Sequence, residues 1–403
     1  MASSSRNKTR WQYPEARKGE VVDDYHGTRV ADPYRWLEDP EDAETQRWVE
    51  AQNRLTRSYI DSFPRRGDLE TRLTALWNYP KHGLPLKHGG RYFYSRNDGL
   101  QDQAVLYWAE SLAQEPRVLL DPNRLSEDGT AALSNEAVSD DGKFLAYGIS
   151  SHGSDQQEIR IRDVDSGTDL DEVIRWAKFA GIAWRKDGSG FFYNRFPEPG
   201  TVPPEDENNF AQVYWHRRDT PQSADELVFE MPDRKELGFY PFMTEDGEYL
   251  GLFSYLGTDP RNGFYVRPAD SDGEFQCIMD VGKSLFRPVG NVGSTFFIQT
   301  DLDAPRGCII AMDVNCPERE HWREILPQQD DVINTVALIA DHLVVQFMHN
   351  AHELLWIYDL EGNKVSEIDL PTMGSIGGIS GRQKDNEMFF LFTSFVYPTV
   401  IYR

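Results

Sequence analysis

The 403-residue sequence predicts a mainly β protein: a seven-bladed β-propeller with an incomplete last blade, preceded by a short helical arm. Three observations carry that prediction. A turn-and-strand phrase recurs along the chain. A strand-turn-strand phrase accompanies it at intervals of about 40 to 60 residues, the spacing of propeller blades. The first eighty residues show helical patterning instead.

In the arm, "DPYRWLEDP" (Asp32 to Pro40) sets two prolines and two aromatics among charges in an extended segment. Asp39 and Pro40 read as a helix start, with Glu41 and Asp42 suited to the positive end of the helix dipole. Trp48, Leu55, Tyr59 and Phe63 follow at near-helical spacing and predict one apolar face. A second helix is expected over Asp68 to Trp77, closed by Pro80. Two helices cannot bury Trp36, Leu37, Trp48 and Trp77 between them, so the arm is expected to lie on something larger. The predicted division is arm 1–80 and propeller 81–403.

The propeller rests on repetition. "SDDGKFLAY", "WRKDGSGFFY" and "MTEDGEYLGLF" each place an Asp-Gly turn before an aromatic-rich strand. Six strand-turn-strand copies run from "VLYWAESLAQEPRVLLD" to "LWIYDLEGNKVSEIDL", and a seventh unit holds "EMFFLFTSF" and "TVIYR". That last unit is read as one strand short of a full blade.

Composition narrows the function classes. A formal charge of −24 and a pI near 4.8 disfavour nucleic acid, which needs a basic surface, and anionic membranes for the same reason. Cys277, Cys308 and Cys316 form no CxxC pair, so buried free thiols and a reducing cytoplasm are expected. The first twenty residues lack an apolar core for a signal peptide. No P-loop, dinucleotide fingerprint or EF-hand is present, and no cofactor is expected.

A hydrolase nucleophile on a strand-to-helix elbow needs G-x-S-x-G. Ser150 and Ser380 each follow a glycine at the right offset but lack the second glycine, and both read as blade loops. His349 and His352 are three apart in a β context, which favours a hairpin loop over a metal pair. His26 reads as part of a turn. The residues alone point to no catalytic constellation and no metal site.

"DDYHGTRVADPYRWLEDP", from Asp23 to Pro40, resembles the N-terminal signature of the prolyl oligopeptidases, serine peptidases of the S9 class. "AQNRLT", "WRKDGSGFFYNRFP", "GTDPRN" and "FTSFVYPTVIYR" continue the resemblance in order along nearly the whole chain. It implies an arm packed on a C-terminal α/β-hydrolase domain, with a seven-bladed propeller between them that covers the active site. It also implies cleavage of short peptides after proline, by Ser, Asp and His of the hydrolase domain. This sequence is expected to stop before that domain, so no catalytic residue carries over and the chain alone is expected to be inactive. The partners implied are short proline-containing peptides and the hydrolase domain, joined or on a separate chain.

The resemblance places three residues toward substrate. Phe179, in "WAKFAGIAW", matches a family phenylalanine that reaches the active-site cavity; a blade-core ring is the other reading. Tyr255 stands where the family has a peptide-contacting arginine, and offers a hydrogen bond or a ring face without positive charge. Thr258 stands where a cysteine can occur. A rival reading of the whole chain is a non-catalytic propeller that binds peptides or proteins; the retained arm favours the peptidase fragment.

Overall fold

The computed structural model describes residues 11–151 and 153–403. The charged and polar N-terminal lead and His152 lie outside the described residues. The chain forms two compact units, one ending at Asn78 and one beginning at Tyr79.

The first unit begins with a hairpin, Val22–Tyr25 against Thr28–Ala31. His26 and Gly27, both at positive φ, make its turn, and the Gly27 N–H donates to Asp24 Oδ1 at 2.6 Å. The "DPYRWLEDP" segment is not extended throughout: Arg35–Glu38 forms a single 3₁₀ turn. Arg35 explains it, bonding Asp32 at 2.6 Å and also reaching Asp23 on the hairpin. Trp36 donates its indole N–H to the Arg17 carbonyl at 2.9 Å, and the Arg17 guanidinium lies 5.2 Å over the same ring.

Helix α1 spans Ala43–Ile60. Its cap is Asp42, three residues later than expected, because Asp42 Oδ1 accepts the N–H of Glu44 and, more weakly, Thr45. Helix α2 spans Arg66–Trp77, two residues longer at its start than the sequence predicts. The apolar face of this pair stays uncovered. Tyr59, Phe63, Leu69 and Leu73 are each about half exposed or more and line a groove of about 810 Å³.

The second unit holds seven antiparallel sheets in chain order. Blade 1 covers residues 81–120, blade 2 132–174, blade 3 182–230, blade 4 237–279, blade 5 286–326, blade 6 332–368 and blade 7 375–402. Blades 2 to 6 have four strands and blade 7 has three. In blade 1 two short strands, Lys81–His82 and Leu86–His88, pair with the same neighbour, Arg91–Asn97, and so share the first position.

The Asp-Gly phrases fold as one device used three times. Gly142, Gly188 and Gly247 each donate to the carbonyl three residues back, at 2.9 Å, and each has positive φ. This is a type I turn closed by a left-handed glycine, which keeps the strand twist that a hairpin needs. At Gly142 the demand is doubled. A Cβ there would stand 2.6 Å from the His88 carbonyl oxygen, because the turns of blades 1 and 2 touch backbone to backbone.

Two sequence readings are corrected. Ser150 and Ser380 lie in strands, Phe144–Ser150 and Ser375–Gly381, not in loops. Of the cysteines only Cys308 is buried; Cys277 and Cys316 are exposed. His349 and His352 do flank a hairpin turn, at Asn350 and Ala351.

Candidate functional site

The three residues singled out in the sequence come to the same end of the propeller, where each blade's first strand begins and its second ends. Phe179 sits in the loop 175–181 that enters blade 3, in left-handed backbone (φ 49°) and 42% exposed, so it is not a core ring. Tyr255 ends the second strand of blade 4 opposite Gly238. Its ring lies across that glycine, where a Cβ would stand 2.0 Å from Cζ. It stacks on Tyr240, with ring centroids 4.8 Å apart and planes 19° from parallel. Burial pushes the Tyr255 phenol up, so it stays neutral. Thr258 is exposed in the following turn.

That turn is held by its neighbours. The Arg261 guanidinium holds the Asp259 carboxyl down at about 2. Asn262 bonds the Phe286 backbone in both directions, at 2.8 and 2.9 Å, which ties the turn to blade 5. The surface so made is aromatic: Phe179, Tyr240 and Tyr255. Tyr240 was missed in the sequence. Its only signal was its place in the strand opposite Tyr255, which needs the register to see.

The opposite end of the propeller, where each blade's first strand ends, is charged. Arg382, from blade 7, reaches Asp140 of blade 2, Glu245 of blade 4 (3.3 Å) and the Lys87 carbonyl of blade 1 (3.3 Å). Gln383 donates its backbone N–H to Glu245 at 3.1 Å and its side-chain amide to the Asn291 carbonyl of blade 5 at 2.9 Å. His88 Nδ1 lies 3.1 Å from the Arg382 guanidinium. Burial first, then the charge of Arg382, push His88 down to about 4. A cavity of about 620 Å³, lined by His88, Trp184, Met243 and Arg382 among others, lies behind this lattice.

The ring has no strand shared between its first and last blades. Blade 7 meets blade 1 through Ser380 Oγ on the Pro85 carbonyl (2.6 Å), Tyr92 on Glu387 (2.7 Å) and Lys87 on Asp385 (2.8 Å). The described residues bring no Ser-His-acid arrangement and no group of three metal-ligating side chains together.

Comparison with known proteins agrees with this architecture. The family profile described as prolyl oligopeptidase, N-terminal β-propeller domain, matches residues 13–403. The chain belongs to that family. A prolyl endopeptidase of Elizabethkingia miricola is 33% identical over 407 residues, covering all of this chain and 57% of the relative. Prolyl oligopeptidase A of Galerina marginata is 32% identical, covering 97% of this chain and 58% of the relative. Among solved structures, one of two prolyl endopeptidases studied for inter-domain dynamics superposes with a TM-score of 0.89 at 30% identity, over 97% of this chain and 58% of its own. Prolyl oligopeptidase B of Galerina marginata, bound to a 35-residue hydrolysis and macrocyclisation substrate, superposes with a TM-score of 0.85 at 28% identity. The chain thus spans a little over half the length of the relatives it matches.

Proposed function

We propose that this chain is the arm and propeller part of a serine peptidase that cleaves short peptides after proline. The observation that carries the reading is the family match across both units, 13–403. The missing chemistry would come from an α/β-hydrolase domain, joined to the chain or on a separate one, and the uncovered apolar face of α1 and α2 is the surface that domain would cover. Burying such side chains is worth roughly 1.5–3 kcal/mol each, enough to hold an arm in place.

In this reading the aromatic end of the channel faces the peptide. Phe179 and the Tyr240–Tyr255 pair supply ring faces that suit a proline ring, and Thr258 supplies a hydroxyl. The propeller gates access: the charged end is barred by Arg382, and peptides too large for the channel are kept out. Free cysteines support a reducing, cytoplasmic setting. Neither a nucleic acid nor a membrane is a partner, given the acidic charge.

Removing one member of a catalytic triad costs several orders of magnitude in rate, and here none is in the described residues. Purified chain should therefore leave a Gly-Pro fluorogenic peptide intact. Turnover that follows the chain through every purification step would overturn the reading.

A further inference from the structure

The loop 175–181 holds two bulky aromatics in left-handed backbone, Trp176 (φ 61°) and Phe179 (φ 49°). Large side chains rarely adopt that region, and they persist there only where the surroundings enforce it. Here three carboxamides enforce it, from blades on either side.

Gln222, in a one-turn helix of blade 3, grips Arg175 at both backbone groups. Its Oε1 accepts the Arg175 N–H at 3.0 Å and its Nε2 donates to the Arg175 carbonyl at 3.0 Å. Asn135, on the first strand of blade 2, donates to the Ala180 carbonyl. Asn194, on the second strand of blade 3, is fully buried. It accepts the Gly181 N–H at 2.7 Å and donates to the Phe179 carbonyl at 3.1 Å. Five backbone groups of one short loop are thus satisfied by side chains: both of Arg175, the carbonyls of Phe179 and Ala180, and the N–H of Gly181.

A carboxamide carries its donor and its acceptor on the same carbon in one rigid plane, a geometry no other side chain reproduces at neutral pH, so neither Asn194 nor Gln222 has an equivalent replacement. The side chain of Lys178 is 15% exposed, and its ammonium sits 5.2 Å over the Phe179 ring and 3.6 Å from Asp155. At its far end the loop abuts Tyr240, where a Cβ on Gly181 would come within 3.2 Å of that ring.

We propose that Asn194, with Asn135 and Gln222, is a positioning residue that holds this loop in its strained form and so presents Phe179 to the peptide. The proposal rests on the reading that Phe179 faces substrate. A loop fixed in advance binds without the cost of ordering it, so the effect falls on affinity and not on fold.

Hydrogen exchange over residues 175–182 tests the positioning in the whole chain. Wild type is compared with Asn194→Ala, Gln222→Ala and Gln222→Glu. Gln222 is only half-buried, so its variants keep the test standing if Asn194→Ala does not fold. Exchange in this segment should rise roughly tenfold in Asn194→Ala and several-fold in Gln222→Ala, with the rest of blade 3 unchanged. Gln222→Glu keeps the acceptor for Arg175 and should fall between. Unchanged exchange in these variants would overturn the positioning role.

Fluorescence anisotropy with a fluorescein-labelled Gly-Phe-Pro-Ala peptide then tests the presentation. Asn194→Ala and Phe179→Ala should weaken binding by the same factor. A Phe179→Ala chain that binds as wild type does, or a wild type with no saturable binding, would overturn the peptide reading beneath the proposal even where exchange behaves as expected.

Discussion

Between blades 4 and 5, Phe264, Phe286 and Phe296 are fully buried, with Phe296 5.8 Å and Phe286 6.3 Å from the central Phe264 ring. Between blades 7 and 1 the comparable space holds Arg382, Lys87, Asp385, Glu387 and Tyr92, with a single ring contact of Tyr92 on Phe389 at 6.2 Å. The contrast extends around the ring. Six apolar clusters fill the junctions from blades 1–2 through to blades 6–7. The junction where the ring closes is polar. Apolar burial offers no charge for salt to screen or protons to titrate, whereas ion pairs near a surface are screened and titrated. Other junctions also carry ion pairs, such as Arg91 with Asp165 between blades 1 and 2, but each of those six has an apolar cluster beneath, so the closing junction should respond most to salt and acid.

The largest effect expected is in an apolar junction. Phe264→Ala should cost about 3–5 kcal/mol in chemical denaturation, felt by the whole propeller. Arg382→Ala should cost about 2 kcal/mol, since Asp140 and Glu245 lose a shared cation at a position where Arg382 is only 22% exposed. Its effect should concentrate in faster exchange of Leu86–His88 and Ser375–Gly381. A loss spread evenly over all blades would erase the distinction between the two kinds of junction.

Acid should act in the same place. His88 stays neutral in the folded protein down to about pH 4, while in the unfolded chain it takes a proton near 6.5. Its contribution is complete above about 6.5 and is lost as the pH falls toward 4. The groups that face it are Arg382, which disfavours its charge, and Asp140, which favours it. Unfolding followed from pH 7 to 4 in wild type and His88→Gln should show a steeper loss in wild type. The smallest effect belongs to Lys384→Ala. Its pair with Asp341 is exposed, and the change should stay within about 0.5 kcal/mol.

Blade count and order were legible in the sequence, because three blades share an Asp-Gly turn with its own local hydrogen bonds and the strand-turn-strand phrase recurs along the chain. Helix positions were legible to within three residues, and the Asp42 cap was misplaced because Asp39 offers the same chemistry nearby. The exposed apolar face of the arm was visible in the spacing that ends in Tyr59 and Phe63. Ring closure was not. Arg382 and Asp140 are 242 residues apart and Arg382 and Glu245 137 apart, and no local pattern announces such pairs. The same holds for Asn194, which in "FFYNRF" reads as an ordinary polar residue near a strand end. Tyr255 and Thr258 were reached by resemblance alone, and the Tyr240 stack that gives Tyr255 its setting depends on a strand register fixed only in three dimensions.

The central claim is that the ring is held differently where it closes. The most direct test is hydrogen exchange of the first strands of all seven blades, at low salt and at 1 M NaCl. The account predicts that Leu86–His88 and Ser375–Gly381 exchange markedly faster in salt while the first strands of blades 2 to 6 do not change. Equal acceleration in every blade, or none at the junction of blades 7 and 1, would contradict it.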